Sequence, residues 1–254
     1  MVKLADREIK RILAAAFQPR HYAAALNILK LFKNPFDILR RYLFGSGKYP
    51  FIVSIKTPIG IVNLTLYSYH DILTLNEIFC REDYSCKNNI RIVVDFGSNI
   101  GISALYFLTR NKDVFTYLYE PFAFNCMRLS NNLKQLHNRF ALFPIAVWLS
   151  NGYVEFGYEE TGRYGGISIS SNYKLVVPSV NVNDILYGII EKCSIIDILK
   201  IDIESYERDI LTAISKEILY RIDIIYIENT FHGNLIKETH DYSQYYNIAK
   251  FVRK

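Results

Sequence analysis

The sequence predicts an α/β protein with a mostly parallel β-sheet, helices on both of its faces, and an N-terminal helical and β-hairpin extension. Two observations support this prediction. From residue 91 onward, short apolar runs typical of buried strands alternate with runs of helical period, which is the order that parallel sheets require. Before residue 91, helical periodicity gives way to two strand-like runs joined by a turn that contains Pro and Gly.

The individual elements follow from local signals along the chain. In the extension, a first helix is expected to end near Pro19 and a third to begin at Pro35 and end near Gly45-Ser46-Gly47, the strongest internal boundary. The other predicted elements of the extension are a helix over 21–33, strands at 51–55 and 61–66, and a helix at 68–80. The predicted core has strands at 91–96, 114–120, 141–147, 195–201 and 222–228, helices at 99–110, 122–137 and 205–219, and an inserted hairpin within 152–182.

The basic surplus of the chain lies at its N-terminus. Residues 1–48 contain ten Lys and Arg against three acids, a net charge of +7, whereas the remainder carries −2. We therefore divide the chain into a basic helical extension (1–48), a strand pair and helix leading into the core (49–88), and an α/β domain (89–254). The basic stretch is compatible with a solvated helical cap or with peripheral contact of residues 3–48 with an anionic membrane surface. A surplus of +5 over the whole chain is too small to indicate a nucleic-acid partner.

The sequence predicts a cytoplasmic location. Charged residues interrupt any signal-peptide core near the N-terminus, and no uncharged apolar run approaches the roughly 20 residues of a membrane span. The four cysteines form no CxxC pair, which is typical of reduced thiols rather than of a disulfide framework or a zinc site.

Acidic residues stand at the ends of four predicted core strands. They are Asp95, Glu120, Asp202 and Glu228. In open α/β sheets, ligands bind beyond the carboxyl ends of the strands, so these residues mark one edge of the sheet as the functional edge. A carboxylate at the end of the second strand, where Glu120 stands, can accept both hydroxyls of a ribose.

The loop after the first core strand predicts a close ligand approach. Gly97 and Gly101 allow a tight turn, and the helix that follows offers free N–H groups at its N-terminus. The spacing is not the GxGxxG of a dinucleotide site, which counts against a nicotinamide-dependent enzyme.

A run of alternating charges follows the fourth core strand. The strand period places Lys200, Asp202 and Glu204 on one side, where three charges are costly unless they are paired or functional. We expect Glu207 to have a structural role at the start of the next helix and Asp202 to be functional.

Five motifs occur in a fixed order along the core. They are Val94-Asp-Phe-Gly-Ser-Asn-Ile-Gly101, Tyr119-Glu-Pro121, Val180-Asn-Val-Asn-Asp-Ile-Leu186, Ile198-Leu-Lys-Ile-Asp-Ile-Glu204 and Ile225-Tyr-Ile-Glu228. Together they resemble the FkbM family of S-adenosylmethionine-dependent O-methyltransferases over residues 90–232. The resemblance implies a Rossmann-like class I methyltransferase sheet for residues 89–254 and S-adenosyl-L-methionine as the cofactor.

The resemblance also implies roles for individual residues. The loop from Asp95 to Gly101 would hold the methionine part of the cofactor, and Glu120 its ribose hydroxyls. The expected cofactor-binding residues are Asp95, Gly97, Ser98, Asn99, Gly101, Glu120, Pro121, Asn125 and Ala146. Asp202 and Glu204 would face the reacting methyl, and Glu228 and His232 would line the acceptor side. With the residues singled out above and in the hairpin loop, the expected catalytic residues are Asp202, Glu204 and His232, and the expected acceptor-binding residues are Glu228, Ser168 and Lys200.

The sequence departs from the family pattern in two ways. Ser205 stands where the family usually has Gly after the Asp-x-Glu motif. Only 26 residues follow Glu228, whereas the methyltransferase fold normally continues with a helix and an antiparallel strand pair. Residues 241–252 are predicted to form the helix, and the C-terminal strand pair is predicted to be missing.

The predicted activity is O-methylation of a hydroxyl on a small-molecule or glycan acceptor, meaning a saccharide or a glycan-related metabolite. A hydroxyl nucleophile needs a base, for which Asp202 is the first candidate and His232 the second. Two alternatives stay open: a methyltransferase-like binding or scaffold protein, which the short C-terminus favours, and an NAD-dependent oxidoreductase. The sequence does not specify the acceptor or an oligomeric state.

Two further features of the site stay open at the level of sequence. Asp202, Glu204 and Glu228 form an oxygen-donor set that could hold a divalent cation, although we assign no metal. The glycines of Tyr164-Gly-Gly-Ile-Ser168 allow either a mobile lid, with Ser168 touching the acceptor, or a simple turn.

Overall fold

The computed structural model describes residues 3–4, 7–8, 19–159, 165–167, 171–228 and 233–254. The chain divides into two compact units, Met1–Ser85 and Cys86–Lys254. The helix predicted before Pro19 lies outside the described residues. Near the N-terminus, the two-residue strands β1 (Lys3–Leu4) and β2 (Arg7–Glu8) pair antiparallel.

The first unit packs helices against an antiparallel hairpin, as the sequence predicts. Its helices are α1 (Pro19–Leu31), α2 (Pro35–Phe44) and α3 (Tyr69–Leu75), the last continued by a π-helical turn (Asn76–Cys80), and its hairpin strands are β3 (Phe51–Thr57) and β4 (Gly60–Leu66). Pro35 begins α2, and Gly45 ends it in the left-handed conformation with a φ of 62°. The Asp71 carboxylate accepts a hydrogen bond from the Ser68 N–H at 2.9 Å, which satisfies a free donor at the start of α3.

The second unit contains two sheets and the helices that cover them. Its strands are β5 (Ile92–Phe96), β6 (Phe115–Tyr119), β7 (Phe140–Phe143), β8 (Ala146–Trp148), β9 (Gly152–Tyr158), β10 (Gly165–Ile167), β11 (Tyr173–Asn181), β12 (Ile196–Ile201), β13 (Ile222–Glu228), β14 (His240–Tyr245) and β15 (Ile248–Arg253). Its helices are α4 (Ile102–Leu108), α5 (Ala123–Leu133) with a 3₁₀ turn (Lys134–Arg139), α6 (Val182–Cys193), α7 (Glu207–Ala213) and α8 (Lys216–Leu219).

The larger sheet has seven strands in the order β14-β15-β13-β12-β5-β6-β7. The five strands from β13 to β7 run parallel, whereas β15 is antiparallel to both β13 and β14. Both faces of the central strands are buried. On one face, Val94 and Phe96 belong to an apolar cluster that also contains residues of α6, α7 and α8. The buried Val93 lies on the opposite face, against which α4 packs. The predicted Rossmann-like α/β class is therefore confirmed.

The prediction that the C-terminal strand pair is missing was wrong. Residues 240–253 form two six-residue strands, β14 and β15, joined by Tyr246 and Asn247, and Tyr246 has a φ of 57°. Antiparallel neighbours need only a short turn and no crossover helix, so few residues suffice. Residues 241–252 are consequently strands rather than the predicted helix. Ala249 and Phe251 bury their side chains in the core cluster and complete the sheet.

Three boundaries inside the core also differ from the prediction. The strand predicted at 141–147 is two strands, because Pro144 interrupts it and the chain passes from the larger sheet to the smaller one. The helix predicted at 205–219 is two helices, the second capped by Ser215, whose hydroxyl accepts from the Ile218 N–H. Helix α6 follows β11 directly and was absent from the prediction.

The smaller sheet has the order β10-β9-β11-β8 and corresponds to the predicted inserted hairpin. The described part of the Tyr164–Ser168 run, Gly165–Ile167, is strand β10 paired with β9, whereas Tyr164 and Ser168 lie outside the described residues. Among the helices that the structure describes, none combines the length and the apolarity that crossing a membrane requires.

Candidate active site

An open cavity lies at the carboxyl ends of β5, β6 and β12, as the acidic strand ends predict. It encloses about 680 Å³, counting the part that opens to solvent. Three parts of the second unit form its walls. The first is the ends of β5 and β6 with the start of α5 (Gly97, Asn99, Tyr119, Glu120, Pro121, Phe122, Asn125). The second is the smaller sheet and the segment that leads into it (Ile145, Ala146, Val147, Phe156, Tyr158, Gly165, Ile167), and the third is the loop after β12 (Asp202, Ile203, Glu204).

The loop after β5 is shaped by its glycine. The N–H groups of Gly97 and Ser98 both donate to the Tyr119 carbonyl oxygen, at 3.0 and 3.1 Å, which ties this loop to the end of β6. Gly97 has a φ of 80°, and a Cβ there would lie 1.7 Å from the Asp202 carbonyl oxygen. Only glycine fits this position, because the loops after β5 and β12 touch through their backbones.

Glu120 is a buried carboxylate that faces the cavity. Its Oε2 accepts from the Asn99 N–H at 2.9 Å and its Oε1 from the Phe122 N–H at 3.0 Å. Burial raises the pKa of Glu120 to about 7, although hydrogen bonds from Phe122, Asn99 and the Asn125 side chain oppose that rise. A carboxylate accepts about four hydrogen bonds, so three donors leave it capacity for a ligand hydroxyl.

Asp95 and Lys200 form an ion pair beneath the cavity. The parallel register of β5 and β12 sets the two residues side by side, and the Lys200 Nζ lies 2.9 Å from Asp95 Oδ1. Asp95 Oδ2 accepts from the Ser103 hydroxyl at 2.6 Å. The Lys200 Nζ also donates to the Gly97 carbonyl oxygen at 3.0 Å and lies 3.1 Å from Asp202 Oδ2, so three acceptors match its three protons.

This arrangement corrects the prediction that Lys200 contacts the acceptor. Its side chain is only 2% exposed, and its ammonium lies between the carboxylates of Asp95 and Asp202. Burial lowers the pKa of Lys200, but the two carboxylates outweigh burial and raise it, so the lysine stays charged. Lys200 Nζ therefore contacts Asp95 and Asp202, and Lys200 does not line the cavity.

The loop after β12 brings two further carboxyl groups to the site. Asp202 and Glu204 line the cavity, and the Asp202 N–H donates to the Phe96 carbonyl oxygen at 3.1 Å. The Glu207 carboxylate accepts from the Ile203 N–H at 3.2 Å, which is the structural role predicted for it. Glu204 and Ser205 have φ angles of 60° and 78°. The left-handed conformation of Ser205 gives a physical reason for the glycine that usually stands at this position.

The aromatic wall of the cavity was missed by sequence reasoning. Phe122 and Tyr158 stack with their ring centroids 4.6 Å apart, and Phe156 lies beside Gly165, where a Cβ would come within 2.6 Å of its ring. Phe122 follows the Glu-Pro motif directly, which was an available signal. Tyr158 and Phe156 come from β9, and only the pairing of the smaller sheet brings that strand to the cavity.

The predicted site residues fall into four groups. Those that line the cavity are Gly97, Asn99, Glu120, Pro121, Asn125, Ala146, Asp202 and Glu204. Asp95, Ser98, Gly101 and Lys200 are buried behind its wall, where the Ser98 hydroxyl donates to the Asp95 carbonyl oxygen. Glu228 is exposed at the end of β13, and its Oε1 accepts from Asn247 at 2.6 Å. His232 and Ser168 lie outside the described residues.

The carboxylates considered for a cation are not assembled as a metal site. Asp202 and Glu204 share the cavity wall, but Glu228 does not line it. Within the described part of the chain, no group of three or more His, Cys, Asp or Glu is arranged to hold a metal ion.

The fold and the site together define a class of protein. A parallel sheet closed by an antiparallel strand pair carries, at its carboxyl edge, a cavity with a buried carboxylate of the kind that binds ribose, which is typical of Rossmann-like proteins that bind nucleotide-like ligands. The family model for the methyltransferase FkbM domain matches residues 95–250, more than half of the chain. The chain therefore belongs to the FkbM family and is an S-adenosylmethionine-dependent methyltransferase.

Comparison with solved structures found similar methyltransferases at low identity. An rRNA methylase from Streptococcus thermophilus has a TM-score of 0.39 at 9% identity, with 72% of this chain and 95% of that chain covered. A methyltransferase from Geobacter sulfurreducens has a TM-score of 0.38 at 13% identity, with 65% and 72% covered. M. capricolum TrmK in complex with S-adenosylhomocysteine has a TM-score of 0.38 at 12% identity, with 71% and 68% covered. The comparison with curated proteins found no match.

The residues of the cavity fit the adenosyl cofactor of this family. Glu120 supplies a buried hydrogen-bond acceptor for the ribose, and the Asn99 loop next to it is fixed by that same carboxylate. Asn125, Ala146 and the ring of Phe122 form the adjoining wall, which suits a flat base. These residues would hold the nucleoside part of S-adenosylmethionine.

Proposed function

We propose that this protein transfers the methyl group of S-adenosylmethionine to a hydroxyl oxygen of a saccharide or glycan-related metabolite, with Asp202 as the proton acceptor. The observation that supports the proposal is the position of Asp202. Asp202 lines the cavity at the end of β12, one strand away from the loop of Gly97 and two strands from Glu120.

The surroundings of Asp202 suit a base of fixed orientation. When bound, the cofactor supplies an electrophilic methyl group, so the protein must align an oxygen and receive its proton. Lys200 engages Asp202 Oδ2 at 3.1 Å, and we assign the acceptor hydroxyl to Oδ1. The ion pair orients the carboxylate, so that Oδ1 can receive the hydroxyl proton as the oxygen–carbon bond forms.

The polar part of the cavity favours an acceptor rich in hydroxyl groups. Asp202 and Glu204 present carboxylate oxygens, which accept hydrogen bonds and therefore match O–H donors. The resemblance to FkbM O-methyltransferases supports the same acceptor class. Glu228, Ser168 and His232 remain predictions for the acceptor side, with His232 as the second candidate base.

A methyl-transfer assay on purified full-length protein tests this proposal. The protein is incubated with S-adenosylmethionine and a panel of p-nitrophenyl glycosides, and methyl ethers are identified by mass spectrometry and NMR. We expect Asp202→Asn to lower kcat by about 10²-fold or more, because a positioned base contributes that much, while cofactor affinity stays near the wild-type value. Asp209→Asn, an exposed acid on α7, is the matched control.

Two outcomes would contradict the proposal. If Asp202→Asn transfers methyl groups to hydroxyls at the wild-type rate, Asp202 is not the base. If the protein binds S-adenosylmethionine but methylates no hydroxyl acceptor at any pH tested, the methyltransferase-like binding protein becomes the better account. The short C-terminus no longer favours that alternative, because the closing strand pair is present.

A further inference from the structure

We propose that helices α1 and α2 form a docking surface for an anionic lipid membrane. Both helices pack their inner faces in the first unit, yet each also carries apolar side chains on its outer face. The exposed apolar side chains of this docking surface are Tyr22, Leu26, Leu29, Phe36, Leu43 and Phe44.

On α1, the exposed apolar residues form one stripe. Tyr22, Leu26 and Leu29 are separated by four and three residues, so they lie on one face of the helix. Tyr22 is 61% exposed. The opposite face, with Ala24 and Ile28, is buried in the first unit, so the outer stripe is not required for the core.

On α2, large exposed apolar side chains also share one side of the helix, at a different spacing. Phe36 and Leu43 are seven residues apart, close to two full turns, Phe44 follows at about 100° around the helix, and Phe36 is 78% exposed. The inner face of α2 carries Ile38 and Arg41, both buried. A helix of ten residues with three large exposed apolar side chains leaves more apolar surface in water than a simple solvated cap requires.

Basic side chains accompany both stripes. Lys30 and Lys33 are exposed on and just after α1, at the helical spacing of the apolar stripe, and Arg40 is exposed on α2 between Phe36 and Leu43. Residues 19–50 contain six Lys and Arg and a single acid, Asp37. Asp37 binds Arg40 and Arg41, each at 2.9 Å. The surface is therefore both apolar and positive.

This combination favours a lipid surface over other partners. Lysines attract anionic headgroups, and leucine and aromatic side chains insert at the level of the acyl boundary. A second copy of the chain would bring Lys30, Lys33 and Arg40 against their own equivalents, which is repulsive. Single-stranded RNA would use stacking platforms and charge, and the aliphatic stripe of Leu26 and Leu29 would have no partner.

Vesicle co-sedimentation of the full-length protein tests the docking surface. Vesicles of phosphatidylcholine alone are compared with vesicles of phosphatidylcholine and phosphatidylglycerol. We expect binding to the anionic vesicles only, weakened by salt. Leu26→Glu/Leu29→Glu and Lys30→Ser/Lys33→Ser should each lower the partition coefficient about tenfold or more. Tyr187→Glu removes an equally exposed aromatic side chain from α6 and should bind like the wild type.

The readouts separate this inference from the proposed function. Methyl transfer to a soluble acceptor should be unchanged in all three variants, so loss of vesicle binding with intact activity supports the docking surface. Absence of binding to anionic vesicles, or undiminished binding by both double variants, would overturn it. Light scattering would overturn it in favour of a second copy if the wild type is a dimer and Leu26→Glu/Leu29→Glu is a monomer. Binding of poly-U RNA that only Lys30→Ser/Lys33→Ser loses would overturn it in favour of RNA.

Discussion

The ends of β5 and β6 carry two carboxylates that are both buried and differ in their partners. Asp95 is completely buried and binds the Lys200 ammonium and the Ser103 hydroxyl, behind the cavity wall. Glu120 is 4% exposed, faces the cavity, and is held by the backbone N–H groups of Asn99 and Phe122. Burial alone therefore does not decide which of the two carboxylates lines the cavity.

The two carboxylates differ in how their negative charge is compensated. The Lys200 ammonium, a full positive charge at contact distance, compensates the negative charge of the Asp95 carboxylate, so this carboxylate needs no ligand as a partner. Burial raises the pKa of both carboxyl groups: that of Asp95 against the opposing charge of Lys200, and that of Glu120 to about 7 against neutral hydrogen-bond donors. A cofactor hydroxyl that donates to Glu120 would fill its remaining acceptor capacity.

The largest effect is expected when the charge beneath the cavity is removed. Lys200→Met leaves Asp95 buried without its cation, and we expect the free energy of unfolding to fall by about 3–5 kcal/mol in urea titrations. Lys200→Met/Asp95→Asn removes both charges and should recover part of that loss. A single variant as stable as the wild type would mean that Asp95 does not depend on Lys200.

The second largest effect is expected on cofactor affinity. Glu120→Gln removes a charge-assisted acceptor worth about 1.5–3 kcal/mol, so the Kd for S-adenosylmethionine should rise about 10- to 100-fold in calorimetric titrations. Glu155→Gln, an exposed glutamate that pairs with Lys174, serves as the matched control and should not change the Kd. Equal affinities of the two variants would remove Glu120 from the cofactor site.

Glu120 should make folding stability and cofactor affinity change with pH in opposite directions. Because its folded pKa lies above the ordinary value of 4.5, its protonated form stabilises the fold at low pH, and that contribution is lost as the pH rises through about 7. Ligand hydroxyls instead need the ionised form, so wild-type affinity relative to Glu120→Gln should rise about tenfold from pH 6 to pH 8. A ratio independent of pH would contradict this role.

The smallest effect is expected in the loop after β12, which carries Asp202. Ser205→Gly relieves a left-handed serine and should raise the free energy of unfolding by about 1 kcal/mol, measured by thermal melting. Ser215→Gly is the control, because Ser215 caps α8 with an ordinary φ of −64° and the same change should be neutral or slightly destabilising. Stabilisation by both changes, or by neither, would show that the Ser205 backbone stores no strain.

Much of the fold could be predicted from the sequence because the central strands are short, apolar and separated by helical runs. Residues 222–228 form strand β13 with the predicted bounds. The closing strands could not be predicted, because residues 240–253 show weak alternation and nothing local indicates that the last strand, β15, inserts between β13 and β14. Length alone was a misleading guide, since antiparallel strands need so few residues.

The location of the site was predictable, and its electrostatics were not. Parallel strands converge at their carboxyl ends, so Glu120 and Asp202 were expected at one edge. Whether Lys200 pairs with Asp95 depends on the register of two strands more than 100 residues apart in sequence. For the same reason, the aromatic wall from β9 could be found only once the smaller sheet was assembled.

The most direct test of the cofactor site is the titration of Glu120 itself. In protein labelled with ¹³C at glutamate carboxyl groups, the resonance assigned by its loss in Glu120→Gln should titrate with a pKa of about 7. We expect saturating S-adenosylhomocysteine to lower this pKa, because hydroxyl donors favour the ionised carboxylate. A Glu120 pKa that does not change when the ligand binds would contradict the central claim that this carboxylate holds the cofactor.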